Sequence, residues 1–79
     1  MIQLTLIEKQ VENNPIFSRK FEVKKGHKTF AKIFTRKNGE TSVEINGCQW
    51  IKNNLTDAID HVKEMAGLLF FDQINYIKM

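Results

Sequence analysis

An internal disulfide is excluded at the outset, because the chain has one cysteine, Cys48, among 79 residues. His27 and His61 are its only histidines, so the ligand spacing of a structural zinc site is missing as well. No stretch approaches the roughly 18 consecutive apolar residues that cross a bilayer. Met1-Ile2-Gln3-Leu4-Thr5-Leu6 has neither the basic stretch nor the cleavage site of a secretory signal, which makes the cytoplasm the expected compartment and a membrane an unexpected partner. One proline and four glycines leave no linker, repeat or low-complexity tract. Whatever fold forms must come from packing, for which 42% hydrophobic residues with six Phe, one Trp and one Tyr suffice. This length predicts a single domain, 1–79, near the lower limit for a lone hydrophobic core and too small for a two-lobed enzyme with a cleft between lobes.

What is present is mostly strand pattern. Ile2, Leu4 and Leu6 alternate with Gln3 and Thr5, predicting a first strand over about 2–10, followed by a turn at Asn13-Asn14-Pro15. Phe17, Phe21 and Val23 alternate with polar residues in a second strand that stops at Lys25-Gly26-His27, and a third runs from Lys28 to about Lys37. Two Asn-Gly dipeptides, Asn38-Gly39 and Asn46-Gly47, each lie between strand-like runs and predict hairpins, placing strands at Thr41–Ile45 and Cys48–Ile51. After Asn54, a natural N-cap with Asp57 three residues on, the period changes. Leu55, Ile59, Val62, Ala66 and Leu69 mark one amphipathic helix that ends at Ala66, with Gly67 beyond it, or runs to Phe71. Ile74–Ile77 reads as a short edge strand. The fold class is α+β: an antiparallel sheet of four to five strands with one helix packed on one face, the other face open to solvent or a partner.

Charge is unevenly placed. Residues 19–37 carry Arg19, Lys20, Lys24, Lys25, Lys28, Lys32, Arg36 and Lys37 against Glu22 alone, a net +7. By the same count residues 1–18 sum to −1 and residues 38–79 to −3. Clustered like charge raises the local potential and steers anionic partners. Together with His27, Phe30 and Phe34, these eight cations form the candidate binding surface. Its geometry depends on the Asn38-Gly39 register, since a slip of one residue reverses every side chain. In a two-residue turn Phe34 faces Val43, and Lys32 falls on the core side with Phe30 and Phe34. In a three-residue loop with a glycine bulge Phe34 faces Ser42 and Lys32 faces Glu44, which collects Ala31, Ile33, Thr35, Thr41, Val43 and Ile45 on one face. The second register separates apolar from charged residues and is the expected one. It turns Phe30 and Phe34 outward among Lys28, Lys32 and Arg36, an arrangement in which bases stack on rings and phosphates meet cations. The alternative packs both rings under the first strand and leaves the lysines as solvated surface.

Other residues carry less. Lys24-Lys25-Gly26-His27-Lys28 forms either an anion-gripping turn or a solvated hairpin tip. His61, Asp57 and Glu64 share the polar helix face, where no water-excluding pocket is expected. Cys48 and Trp50, paired with Ile45 and Val43, are expected in the core, and Cys48 is expected to be inert. Leu68, Phe70 and Phe71 form an apolar run that could close a homodimer. No triad, metal cluster or activated nucleophile can be assembled, so neither enzymatic activity nor a cofactor is expected.

From Lys28 to Leu69, a meander with Asn-Gly turns followed by a helix resembles the layout of the arm-binding domains of tyrosine recombinases, which insert a sheet into DNA. In size, Lys/Asn-rich composition and lack of a catalytic set, the whole chain resembles small bacteriophage accessory proteins, including anti-CRISPR inhibitors. That resemblance implies a viral inhibitor acting in the host cytoplasm on a nucleoprotein complex with an acidic surface. The chain's net charge of +3 departs from inhibitors that mimic DNA. Direct binding of DNA or RNA through the same face is the alternative.

Overall fold

A computed structural model describes residues 4–12, 15–69 and 73–78. The elements are β1 (Leu4–Lys9), β2 (Phe17–Lys25), β3 (Lys28–Arg36), β4 (Thr41–Ile45), β5 (Cys48–Lys52), α1 (Leu55–Met65) and β6 (Asn75–Lys78). They form one six-stranded sheet in the order β5-β4-β3-β2-β1-β6 with the helix on one face. The expected sheet of four to five antiparallel strands is corrected in two respects. Among the described residues there are six strands, and β6 runs parallel to β1. After β5 the chain crosses the sheet by way of α1 and reaches its opposite edge, a path that a hairpin pattern cannot reveal.

Turn chemistry fixes the register. Asn46 (φ 51°) and Gly47 (φ 81°) both take the positive φ that a two-residue hairpin with right-handed strand twist requires. At Lys37–Gly39 the loop has three residues: Gly39 has φ 95°, its N–H donates to the Arg36 carbonyl, and the Arg36 N–H donates to the Glu40 carbonyl. Phe34 therefore faces Ser42 and Lys32 faces Glu44, as the expected register requires.

Alternation then sorts the residues. Leu4, Leu6, Phe21, Val23, Ala31, Ile33, Val43 and Ile45 are buried on the helix side against Ala58, Val62 and Ala66. Small residues at two of those three helix positions let the helix approach β3, β4 and β5 closely, while Leu68 and Ile74 pack against the same cluster. Leu68 is thereby half-buried in the fold; Phe70 and Phe71, its companions in the expected dimer surface, lie outside the described residues. The helix starts where Asn54 Oδ1 accepts the Asp57 N–H at 2.8 Å. It stops at Ala66, because Gly67 (φ 82°) donates to the Glu64 carbonyl and Leu68 to that of Lys63, the paired bonds of a Schellman cap.

Two irregularities in the β2–β3 ladder break the alternation, one at Ser18 and one opposite Lys24. Phe17 pairs with Arg36 and Arg19 with Thr35, so Ser18 is an extra residue and Phe17 leaves the face of Phe21 and Val23. Its hydroxyl reaches the carbonyls of Thr35 and Arg36. At the other end Val23 pairs with Ala31 but Lys24 with Thr29, leaving Phe30 unpaired in a second bulge.

Candidate binding face

The face opposite the helix can be read as rows running across the strands. One row, Gln49–Glu44–Lys32–Glu22–Ile7–Ile77, alternates charge through its centre, and Lys9 of the neighbouring row also acts on its Glu22. Lys24 joins it, donating to Thr29 Oγ1 at 2.9 Å and lying 2.8 Å from the Glu22 carboxylate. These partners hold Glu22 at a pKa of about 2, the Lys24 hydrogen bond contributing most.

The neighbouring row differs. It reads Ile51–Ser42–Phe34–Lys20–Lys9, with no carboxylate in it. Phe34 is half-buried, packs on Phe17 with ring centroids 5.4 Å apart, and carries the Lys20 ammonium 5.7 Å from its centroid. Beside the rings is a depression of about 330 Å³ lined by Gln10, Val11, Glu12, Phe17, Lys20 and Phe34. Lys9 and Lys20 face each other directly across the β1–β2 ladder. Arg36 stands opposite Phe17 at the end of this surface, with Glu40 3.7 Å away.

The +7 segment is therefore not one surface. Arg19 lies on the helix side, where its guanidinium forms two 2.8 Å bonds to the buried carboxylate of Glu8 and covers the Phe21 ring. Tyr76 Oη also donates to Glu8. Arg19, with the Tyr76 hydroxyl, outweighs the cost of burial and holds the Glu8 pKa at about 2 instead of 4.5. The same contact raises the pKa values of Arg19 and Tyr76. Arg19 thus clasps β6 and β2 to β1 and leaves the candidate binding face. Alternation from Val23 also carries Lys25 toward the helix side, where Lys25 and Lys28 pair across a two-residue turn at Gly26-His27. His27 is exposed there. Lys25 lies five strand steps beyond Lys20, about 16 Å.

Phe30 requires a correction. Expected to point outward with Phe34, it is the bulged residue, packs against the core cluster and lies under Lys25 at 5.7 Å. Of the two expected stacking rings only Phe34 remains on the open face. Phe17, which alternation grouped with Phe21 and Val23, takes the second place, and the Ser18 bulge that moves it has no signature in a chain of alternating residues.

The remaining candidates separate too. Cys48 pairs with Ile45 as expected but is exposed on the edge strand, which overturns its assignment to the core. Trp50 packs against the core and meets the His61 ring at a 51° tilt with centroids 4.7 Å apart. Burial and Lys52 lower the His61 pKa, and its Nε2 is buried without a hydrogen-bond partner among the described residues. A hollow of about 390 Å³ beside it is lined by Lys52, Asn53, Asp57, Asp60 and Glu64 among others, charges of both signs around an open mouth. Among the described residues no group of three His, Cys, Asp or Glu side chains could hold a metal ion, and no helix is long and apolar enough to cross a membrane. No protein-family model, curated protein or solved structure matches the chain.

Proposed function

We propose that the chain is a non-enzymatic binding protein, an inhibitor or regulator of the small phage-accessory kind, that docks on an acidic surface of a nucleic-acid-handling complex. The observation that carries this reading is the register that sets Lys25 opposite Lys28 at the hairpin tip. Like charges directly opposite each other destabilise a ladder. Where the fold pairs Lys24 with Glu22 and sets Lys32 between two glutamates, setting Lys25 opposite Lys28 at the hairpin tip is an exception to that pattern and supports a role outside folding. An anionic partner gains on-rate from the field of these lysines and relieves the repulsion at the tip on binding.

Direct binding of DNA or RNA is the second reading, favoured by the Phe17–Phe34 pair beside Lys20. The 44° tilt between the two rings weighs against it, since they present no flat platform on which a base can stack. Titrating the protein with short single- and double-stranded DNA and RNA at about 50 mM and about 200 mM salt separates the two. No binding at low salt, with cross-linking of Lys20 or Lys28 to a protein subunit of a nucleoprotein complex, is the expected result. Micromolar nucleic-acid binding that collapses at the higher salt would replace the first reading with the second.

A further inference from the structure

Resting on that reading of the chain as a binding protein, we infer that the Phe17–Phe34 depression is a socket for one large apolar side chain of an extended acidic segment of the partner, whose carboxylates then meet Lys20 and Lys9. The row through the socket supplies both halves of this recognition in a fixed order. Ile51, 55% exposed, and the Phe34 and Phe17 rings form the apolar half, and the two facing lysines form the cationic half. From Ile51 to Lys9 the row crosses four strand spacings, about 19 Å. Five or six residues of extended chain cover that span.

Charge and geometry favour a peptide over a nucleic-acid strand. The Lys20 ammonium sits over the Phe34 ring, and Phe17 meets that ring at a 44° tilt, so the pair presents a notch and not an open flat platform for a base. Glu12 on the lining disfavours a phosphate within the notch but leaves an uncharged side chain unaffected. The socket is about 330 Å³, room for one aromatic side chain. Aromatic anchors in such pockets, ringed by charge that aligns the partner, are the residues that dominate binding energy in protein interfaces.

The test uses the full chain and a fluorescent peptide of about twelve residues, ~40 Å extended, made of Glu and Ser with one central Trp. A charge-matched peptide with Ala for Trp and an oligothymidylate serve as comparisons, all read by fluorescence anisotropy at low salt. The Trp peptide is expected to bind roughly tenfold more tightly than the Ala peptide. Lys20→Glu and Phe34→Ala are each expected to remove that difference, whereas Lys28→Glu at the hairpin tip is expected to keep it. Because Phe34→Ala removes a half-buried ring, the exposed Lys20→Glu decides the matter if the other variant unfolds. Equal affinity for the two peptides overturns the socket. So does tighter binding of the oligothymidylate than of the Trp peptide, and so does a loss on Lys28→Glu equal to that on Lys20→Glu. Should the peptides bind equally while both lysine variants weaken them, the socket fails but the docking function stands; should nothing acidic bind at all, both fail.

Discussion

Phe17 packs on Phe34, ring centroids 5.4 Å apart, on the face of the sheet opposite the one that buries Phe21. The contact exists because Ser18 is an extra residue in β2. Both rings are half-buried, so each truncation costs less than a core Phe→Ala. Phe21→Ala is expected to lose about 3–5 kcal/mol, and Phe17→Ala or Phe34→Ala about 1–2 kcal/mol each. In urea unfolding, the double variant should show a coupling of about 0.5–1.5 kcal/mol between the rings. Strict additivity would show that the ring contact contributes nothing.

Opposed lysines predict an unusual trade. Lys20→Glu converts the Lys9–Lys20 contact into an opposite-charge pair, and Lys28→Glu does the same opposite Lys25. Each is expected to raise stability by about 0.2–1 kcal/mol in low salt while weakening association with an anionic partner. Added salt should shrink the gain, because these side chains are near solvent. A destabilised Lys20→Glu protein in low-salt urea melts contradicts the prediction.

Acid sensitivity follows from Glu8 and Glu22, both held at a pKa of about 2. A carboxyl whose pKa is lower folded than unfolded contributes stability that is complete above its unfolded value and lost as pH falls through its folded value. Stability is therefore expected to decline between about pH 4.5 and pH 2. For the buried Glu8 the loss is on the order of 2–3 kcal/mol. Glu8→Gln should flatten part of this decline and leave the part due to Glu22. An unchanged acid limb in thermal melts of Glu8→Gln would falsify the assignment.

His61 places an unpartnered Nε2 under Trp50. Its depressed pKa keeps the ring neutral at pH 7. Replacement by Phe retains the ring contact and removes the unsatisfied atom, so His61→Phe is expected to be neutral or stabilising by up to about 1 kcal/mol. Calorimetric melting of the two proteins at neutral pH checks this, a lower melting temperature being the adverse outcome.

The exposed position of Cys48 can be read directly: the folded protein is expected to react fully with Ellman's reagent without denaturant. Protection until unfolding would return the residue to the core.

Elements whose causes are local were readable from sequence. Asn38-Gly39 and Asn46-Gly47 dictate their turns through positive φ, and the separation of Ile33 and Val43 from Lys32 and Glu44 selects the register. Asn54 and Gly67 bound the helix for equally local reasons. Hidden features depend on partners distant in sequence. The bulges at Ser18 and Phe30 reverse two aromatic side chains without altering composition or period, so Phe34 and Lys20 were legible on the open face, whereas Phe17 and Lys9 were missed and Phe30, Arg19 and Lys25 were misplaced. Cys48 keeps the expected partner, Ile45, but occupies an edge strand with no strand beyond it among the described residues, so pairing did not imply burial. The parallel placement of β6 needed knowledge of where α1 delivers the chain.

That placement bears on the order of folding. Glu8 and Tyr76 are 68 residues apart, while every other strand pairing joins neighbours along the chain. Closing so long a loop costs more entropy than closing any of the hairpins, and β6 returns only four residues of pairing for it. The meander from β1 to β5 can assemble by successive local steps, leaving β6 to dock last and to detach first. In native-state hydrogen exchange its amides should open well below the global unfolding free energy, and substitutions at Tyr76 should accelerate unfolding while leaving the refolding rate almost unchanged.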